Sequence, residues 1–318
     1  MQFERVALRA TMAAALACQG WIGRGDGKAA DGAATDALRD VLAASPGLGT
    51  VVVGEGAKDE APMLYDGEQL GQGGLEFDIA VDPLECTTLC SKGLPGSLVT
   101  LAFAARGAMA TLGQSFYMDK LVVAGPAAEA LDITRDPEDN VRSVAEALGR
   151  GVEDICVSVL DKPRHEELIA RIHTAGARVV TPPDGDVAGS LDALLPDGGA
   201  DLLMGVGGTP EGVLTACAAR ALGGGMQARL APRGDEEARA LADAGLDTDK
   251  VYGLEDLVDG ESFFVATGVT GGELLRRPWV SEGQVCTESI VVADGRVRRE
   301  VETAAPSSDA PGPDVGAT

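Results

Sequence analysis

The chain has 318 residues, of which 45% are hydrophobic and only 3% aromatic, enough apolar material for a large α/β core built from Ala, Val and Leu. Lys and Arg number 26 against 50 Asp and Glu, and this formal charge of −24 excludes a general nucleic-acid or anionic-membrane surface, because binding polyphosphate needs clustered cations. The six cysteines (Cys18, Cys86, Cys90, Cys156, Cys217, Cys286) lack a CxxC spacing, and they fit free thiols in a reducing cytoplasm better than a disulfide framework.

At the start of the chain, Arg5 and Arg9 precede an apolar stretch ending in Cys18, which imitates a short signal sequence. Glu4 and the four-residue spacing of Leu8, Met12 and Leu16 fit an amphipathic helix better, and no segment reaches the length of a membrane span. A glycine-rich link over 21–32 leads to a second helix, with Ala34, Leu38, Val41 and Leu42 as its buried stripe. Asp31 falls at or near its first turn, where simple capping accounts for an acid. A short strand over 50–53 delivers Gly54-Glu55-Gly56, whose glycines suit close backbone approach to an ion or ligand; Asp59 and Glu60 follow.

Phe77, Ile79 and Val81 alternate as a strand entering a core, and Pro83, which has no N–H, is expected to stop its ladder. Asp82 and Glu85 then leave the sheet together, with Thr87 next to them. These are hard oxygen ligands of the kind Mg²⁺ or Mn²⁺ prefers, although taken alone the pattern is equally a solvated turn. Further strands are predicted over 98–104 and 121–124, with Tyr117 ahead of the latter, and a helix over 136–149 that buries Val141, Val144 and Leu148.

From Ile155 to Met204 the pattern is β-α-β-α-β, which calls for a mainly parallel sheet covered by helices. Ligands bind such sheets where strands end and helices begin. Three loops qualify: 161–165, with Lys162 and Arg164 placed for a phosphate; 183–186, with Asp184 and Asp186 suited to sugar hydroxyls; and the glycine-rich 205–212. The last lacks the G-x-G-x-x-G spacing and a Walker lysine, so a nucleotide cofactor is not supported. His165 and His173 are the only histidines, and His173 reads as a surface residue. Residues 228–250 read as surface helix, 262–267 as a strand, and 285–292 with 296–301 as a hairpin across Asp294-Gly295. Residues 303–318 are expected to be a disordered tail, leaving an N-terminal α+β metal-binding half at 1–150 and an α/β substrate-binding half at 151–302.

Asp31, Glu55, Asp82, Glu85 and Glu211 all sit at element ends, and gathered together they would repel unless cations neutralised them. Eight blocks are recognisable at this point. They are Gly23-Arg24-Gly25-Asp26, Ala30-Asp31-Gly32-Ala33, Gly54-Glu55-Gly56, Asp59-Glu60-Ala61-Pro62-Met63-Leu64, Asp78-Ile79-Ala80-Val81-Asp82-Pro83, Lys162-Pro163-Arg164-His165, Asp184-Gly185-Asp186-Val187-Ala188 and Gly207-Gly208-Thr209-Pro210-Glu211-Gly212. In this order they closely resemble the class II, GlpX-type fructose-1,6-bisphosphatases of the inositol-monophosphatase-like superfamily. The resemblance implies a sugar-phosphatase fold, an α/β/α/β/α sandwich with a mixed N-terminal sheet and a mainly parallel C-terminal one. It implies one divalent metal on Asp31 and Glu55 and a second on Asp82, Glu85 and Glu211, with Mg²⁺ and Mn²⁺ both suitable. It implies substrate contacts from Glu85, Cys86, Thr87, Tyr117, Lys162, Pro163, Arg164, Asp184, Gly185, Asp186 and Gly208, and Asp59 with Thr87 to position and deprotonate the attacking water. The activity it implies is hydrolysis of the 1-phosphate of fructose 1,6-bisphosphate in cytoplasmic carbohydrate metabolism, by a homo-oligomer, dimer or tetramer.

Cys86 stands where that family has glycine, a position expected to need φ > 0 or tight backbone approach. It keeps open a divergent paralogue acting on another phosphosugar, such as sedoheptulose 1,7-bisphosphate, and a catalytically dead sugar-phosphate binder.

Overall fold

The computed structural model describes residues 3–54, 56, 63–113 and 115–305. In chain order these form α1 (Glu4–Ala17), α2 (Gly27–Ala43), β1 (Gly47–Val53), β2 (Gln69–Gly73), β3 (Glu76–Glu85), α3 (Thr87–Lys92) and β4 (Leu98–Ala105). There follow β5 (Tyr117–Val123), α4 (Pro137–Leu148), β6 (Cys156–Ser158), α5 (Glu166–Ala175), β7 (Arg178–Val180), α6 (Asp186–Leu194), β8 (Leu202–Gly208) and α7 (Thr209–Leu222). The last are β9 (Gly225–Leu230), α8 (Asp235–Asp243), β10 (Tyr252–Gly253), α9 (Leu254–Leu257), β11 (Ser262–Gly268), β12 (Trp279–Ser281), β13 (Gln284–Ala293) and β14 (Arg296–Ala304). Two compact units contain them: one holds the described residues up to Arg106, Phe263–Val292 and those from Val297 on; the other holds Gly107–Ser262 and Ala293–Arg296.

The first unit is built on an eight-stranded sheet in the order β12-β13-β11-β4-β3-β1-β2, with β14 on β13. It is mixed, because β1 runs parallel to β3 while β3 and β4 are antiparallel. α1 packs on β3 and β4, and α2 on β2 and β3. The buried face of α1 is Ala7, Leu8, Ala10, Thr11, Ala14 and Ala15 rather than the Leu8-Met12-Leu16 line, because small side chains let α1 and α2 lie close together. The one polar member, Thr11, bonds Thr267 at 2.7 Å, and Thr267 bonds Ser289 at 2.7 Å, so these three hydroxyls satisfy one another. Phe103 touches Phe3, Phe77 and Phe263, so much of the scarce aromatic content is concentrated in this core. The strand expected to stop at Pro83 instead continues to Glu85. β14 also runs to Ala304, which takes the first residues of the expected tail into the sheet; the rest of the tail from 306 lies outside the described residues.

The second unit has a six-stranded sheet in the order β10-β9-β5-β8-β6-β7. Its parallel part is β7-β6-β8, the predicted β-α-β-α-β unit. The sheet as a whole is mixed rather than mainly parallel, because β5 inserts antiparallel between β8 and β9, and β10 adds antiparallel to β9. Residues 228–230, the start of the stretch expected to be surface helix, belong instead to β9, whose Met226, Ala228 and Leu230 are buried at period two. Segment 107–150 clusters here since β5 pairs with β8 and β9, and α4 packs on α5.

Leu121 and Val123 of β5 join Val141, Val144 and Ala145 of α4 and Ile172 of α5 in one core. Alternation along β5 therefore turns Lys120 to the other face, where α6 and α7 pack. Among the described residues no helix is long and apolar enough to cross a membrane.

Ile172 is wholly buried in this core. Ile172→Ala should lower stability to urea by about 2–5 kcal/mol, the usual cost of truncating a packed aliphatic side chain. A loss below about 1 kcal/mol would show that α5 is only loosely seated.

Candidate active site

In the first unit the site residues are placed by an interruption in β3. Asp82 pairs with Thr100, and the ladder resumes only at Glu85 opposite Leu98; Pro83 lacks the N–H that would continue it. Pro83 therefore makes a bulge rather than an end. The Leu84 N–H folds back to Asp82 Oδ1 at 3.0 Å. Asp82 is half-buried, Glu85 is buried, and each offers a carboxylate oxygen within 4.8 Å of the other's. Two such anions repel in the absence of a cation, and their hard oxygens could hold a divalent metal.

Beyond the bulge, Cys86 lies in the left-handed region at φ 64°, ψ 47°, and opens α3. This meets the expectation for the glycine position, with a Cβ carried at a strain cost. Ser97 Oγ donates to the Cys86 carbonyl at 3.0 Å and holds the conformation in place. The Thr87 hydroxyl donates to the Leu84 carbonyl at 2.8 Å, which leaves its oxygen free to accept.

The glycine-rich link before α2 is tied to α3 by Gly23 N to Cys90 O at 2.9 Å and Gly25 N to Ser91 O at 2.8 Å. A Cβ on Gly27 would meet Thr87 Cγ2 at 3.0 Å, so glycine permits this approach. The cap of α2 is Asp26, which accepts from Ala29 N at 2.9 Å; Asp31 lies a turn further in and is not a cap. Its negative charge, secondary to burial, helps push the Cys18 thiol up. Glu55 and Asp59 lie outside the described residues. The chain beside them is held by Asp66, which accepts from Gly54 N at 3.2 Å, while its own N–H donates to Gly56 O at 3.0 Å.

In the second unit the organising group is Lys120, which sequence reading passed over. Its side chain is wholly buried; Nζ donates to the Asp186 carboxylate and to the Gly208 carbonyl, the latter at 3.1 Å. Glu211, in the first turn of α7, presents a buried Oε2 with no hydrogen-bond partner among the described residues. Burial, and then the negative charge of Asp186, raises its carboxyl above the ordinary range; Lys120 offsets part of this. A Cβ at Gly208 would strike the Glu211 carboxylate, and one at Gly207 the Asp186 carboxylate. The glycines of this loop clear space for two acids. An orphaned, buried carboxylate oxygen in an all-oxygen donor set fits Mg²⁺ or Mn²⁺.

Nearby in the same unit, Lys162 Nζ lies 3.8 Å from Asp184, and Pro163 opens a short 3₁₀ turn (Pro163–His165). Gly185 has φ 104°, which only glycine adopts readily, and leads into α6 at Asp186. The Arg164 guanidinium donates twice to the Val206 carbonyl, at 3.0 and 2.6 Å. His165 is structural: it is buried, with Nδ1 2.8 Å from Leu160 O and Nε2 accepting from Val206 N at 2.9 Å, so it joins the 161–165 loop to β8. His173 is exposed, as expected. Tyr117 is half-buried at the start of β5, with Arg233 over its ring. Arg233, like Lys120, was missed; a charged residue inside an apolar strand was the available signal for Lys120.

Strand-end and helix-start acids, a buried lysine and a basic loop on an α/β frame belong to a phosphoester-hydrolysing enzyme of the sugar-phosphatase class. The family described as "Bacterial fructose-1,6-bisphosphatase, glpX-encoded" matches residues 2–305, and the chain belongs to it. It is 42% identical to the class 2 fructose-1,6-bisphosphatase of Haemophilus influenzae over 95% of this chain and 94% of that protein. It is 41% identical to the fructose-1,6-bisphosphatase 1 class 2 of Escherichia coli strain K12, over 94% of this chain and 91% of that one.

Two measurements test this geometry. At φ 64° the usual order of Ala over Gly should reverse, so Cys86→Gly should be more stable than Cys86→Ala by about 1 kcal/mol in urea unfolding. Equal stability would mean that the left-handed conformation is not held. For Glu211 the carboxyl is raised in the folded state, so the folded protein binds the extra proton, and stability is lost as pH rises from the unfolded carboxyl range through the raised value. In a chelator, wild type should therefore lose more urea resistance between pH 5 and pH 7.5 than Glu211→Gln, and identical losses would contradict the assignment.

Proposed function

We propose that this chain hydrolyses the 1-phosphate of fructose 1,6-bisphosphate, releasing fructose 6-phosphate and inorganic phosphate, with two divalent cations, Mg²⁺ or Mn²⁺. The observation that carries the reading is the buried Glu211 oxygen, which has no hydrogen-bond partner among the described residues and lies beside Asp186, in a chain of this family. One cation goes to Asp31 and Glu55, and the other to Asp82, Glu85 and Glu211. When bound, they supply charge neutralisation and a more acidic water.

The protein's own groups do the remainder. Asp59 and Thr87 orient the attacking water, and Asp59 takes its proton. The Thr87 hydroxyl suits this role because its hydrogen is committed to Leu84 O and its oxygen can accept from water. Glu85, Cys86 and Thr87 present the turn that meets the reacting phosphate. Asp184, Gly185, Asp186 and Gly208 hold the sugar hydroxyls, with Asp186 and Gly208 fixed in position by Lys120. Tyr117, Lys162, Pro163 and Arg164 receive the phosphate that stays. Metal ligands thus come mainly from 1–150 and sugar contacts mainly from 151–302. We place the activity in the cytoplasm, in a dimer or tetramer; six buried free thiols suit a reducing compartment.

A second reading, hydrolysis of another phosphosugar, is favoured by one observation, the Cβ and thiol of Cys86 at the left-handed turn. Both readings are tested by phosphate release from fructose 1,6-bisphosphate, sedoheptulose 1,7-bisphosphate and a set of sugar monophosphates, with each metal. The expected result is fastest turnover of fructose 1,6-bisphosphate, abolished by EDTA and restored by Mg²⁺ or Mn²⁺. Faster turnover of another sugar, brought back toward fructose 1,6-bisphosphate by Cys86→Gly, would establish the second reading. Sugar-phosphate binding with no release under any metal would leave a binder and end both.

A further inference from the structure

Arg233 follows β9, and its guanidinium carbon lies 3.6 Å from the ring centroid of Tyr117. The stack is fixed at the backbone. Glu237, in the first turn of α8, accepts the Phe116 N–H at Oε1, 2.9 Å, and the Arg233 N–H at Oε2, 2.8 Å. Ala231 N donates to the Tyr117 carbonyl at 2.9 Å. Thus both ends of the pair, Tyr117 on β5 and Arg233 past β9, are joined through one carboxylate and one strand bond. Glu237 commits both oxygens to backbone amides, and no carboxylate among the described residues pairs with the Arg233 guanidinium.

The same neighbourhood holds a second guanidinium without an ion pair among the described residues: Tyr117 pairs with Gly208 of β8, and Arg164 is bonded two residues earlier on that strand, at Val206. Arg164 donates to a carbonyl, not to an acid. Burial, and then the positive charge of Arg233, holds it below the ordinary arginine range, so the two cations feel each other. Lys162, third in the group, is only loosely matched by Asp184 at 3.8 Å. In a chain of net charge −24, two guanidinium groups that form no ion pair among the described residues are suited to an incoming anion. A guanidinium flat on an aromatic face keeps its N–H edge available, the geometry that grips phosphate oxygens two at a time.

We propose that Arg233, stacked on Tyr117, joins Arg164 in clamping the phosphate that is not cleaved, and so selects sugars carrying a second phosphate. The proposal rests on the phosphatase reading above and adds to it a residue and a substrate preference.

The test compares wild type, Arg233→Ala and Arg233→Lys, each with Mg²⁺, on fructose 1,6-bisphosphate and on fructose 1-phosphate, which lacks the remote phosphate. Arg233→Ala should raise KM for the bisphosphate about tenfold or more with kcat little changed, and should leave kcat/KM for fructose 1-phosphate as in wild type. Arg233→Lys should recover part of the loss, since a point charge replaces the fork. Equal losses on both substrates, or an unchanged KM for the bisphosphate, would overturn the proposal. Should wild type turn over neither sugar, the phosphatase reading fails by itself, and equilibrium binding of fructose 6-phosphate decides on Arg233. Binding weakened about tenfold in Arg233→Ala would uphold the clamp, whereas equal binding by the variant or none by wild type would refute it.

Discussion

A lysine removed from water is the constraint around which the second unit is arranged. Lys120 sits inside an apolar strand, and its charge is tolerable there only because Asp186 and the Gly208 carbonyl meet it. That requirement reaches along the chain. Asp186 must open α6 at the right height, which the left-handed Gly185 permits; β8 must bring its last carbonyl to Nζ; and residues 207 and 208 must have no side chains, because the carboxylates of Asp186 and Glu211 occupy that space. One cation therefore accounts for most of the local sequence from 184 to 211. It does not satisfy every acid, since Glu211 keeps an oxygen without a hydrogen bond among the described residues. A buried carboxylate oxygen left open beside a second acid could be answered by a ligand cation.

The first unit reaches a comparable end by another route. Where the second uses a counter-ion, the first uses a break in a ladder. Pro83 cannot donate, so β3 bulges between Asp82 and Glu85, and two carboxylates emerge from the interior of a sheet rather than from a loop tip. Side chains rooted in a paired strand are held more firmly than loop side chains, which matters when a metal requires fixed ligand positions. The turn that follows is held at a cost, since Cys86 adopts a backbone conformation that glycine takes without penalty. Strain at a site-bearing turn is affordable because the eight-stranded sheet around it over-determines the chain path.

Much of this was legible in the sequence, for physical reasons that differ from element to element. Period-two alternation at Phe77, Ile79 and Val81 located β3, and the helical spacing of Val141, Val144 and Leu148 located α4. Period alone could not say which sheet a strand would join. The strand predicted over 121–124 reads as apolar wherever it goes, and only the partners of β5, β8 and β9, make the second sheet mixed. The strand over 225–230 was hidden by the helix-forming run after it. Pro83 was read as a terminus because proline removes a donor, but a bulge loses the same donor and lets the strand resume. Lys120 was overlooked because it falls just ahead of the strand predicted over 121–124, where a lysine is ordinarily solvent-facing, and its burial depends on an aspartate 66 positions later in the sequence.

Charge explains why the basic residues of the second unit have to be local. The chain as a whole carries −24, so its far field repels an anionic sugar phosphate. At physiological salt that repulsion is screened beyond about 8 Å, and within this distance the sign is set by the side chains at hand. Around Tyr117 those are Arg164 and Arg233, neither of them ion-paired with an acid among the described residues. Around Glu211 they are Asp186 and Lys120, which together leave an excess of negative charge. On the function proposed above, a substrate with a phosphate at each end would meet cations at one end and guanidinium at the other, and a molecule with a single phosphate would leave one of these fields unanswered. Such discrimination rests on the sign of the side chains at each place, with Arg233 stapled to β5 through Glu237 and Asp186 held by the buried Lys120.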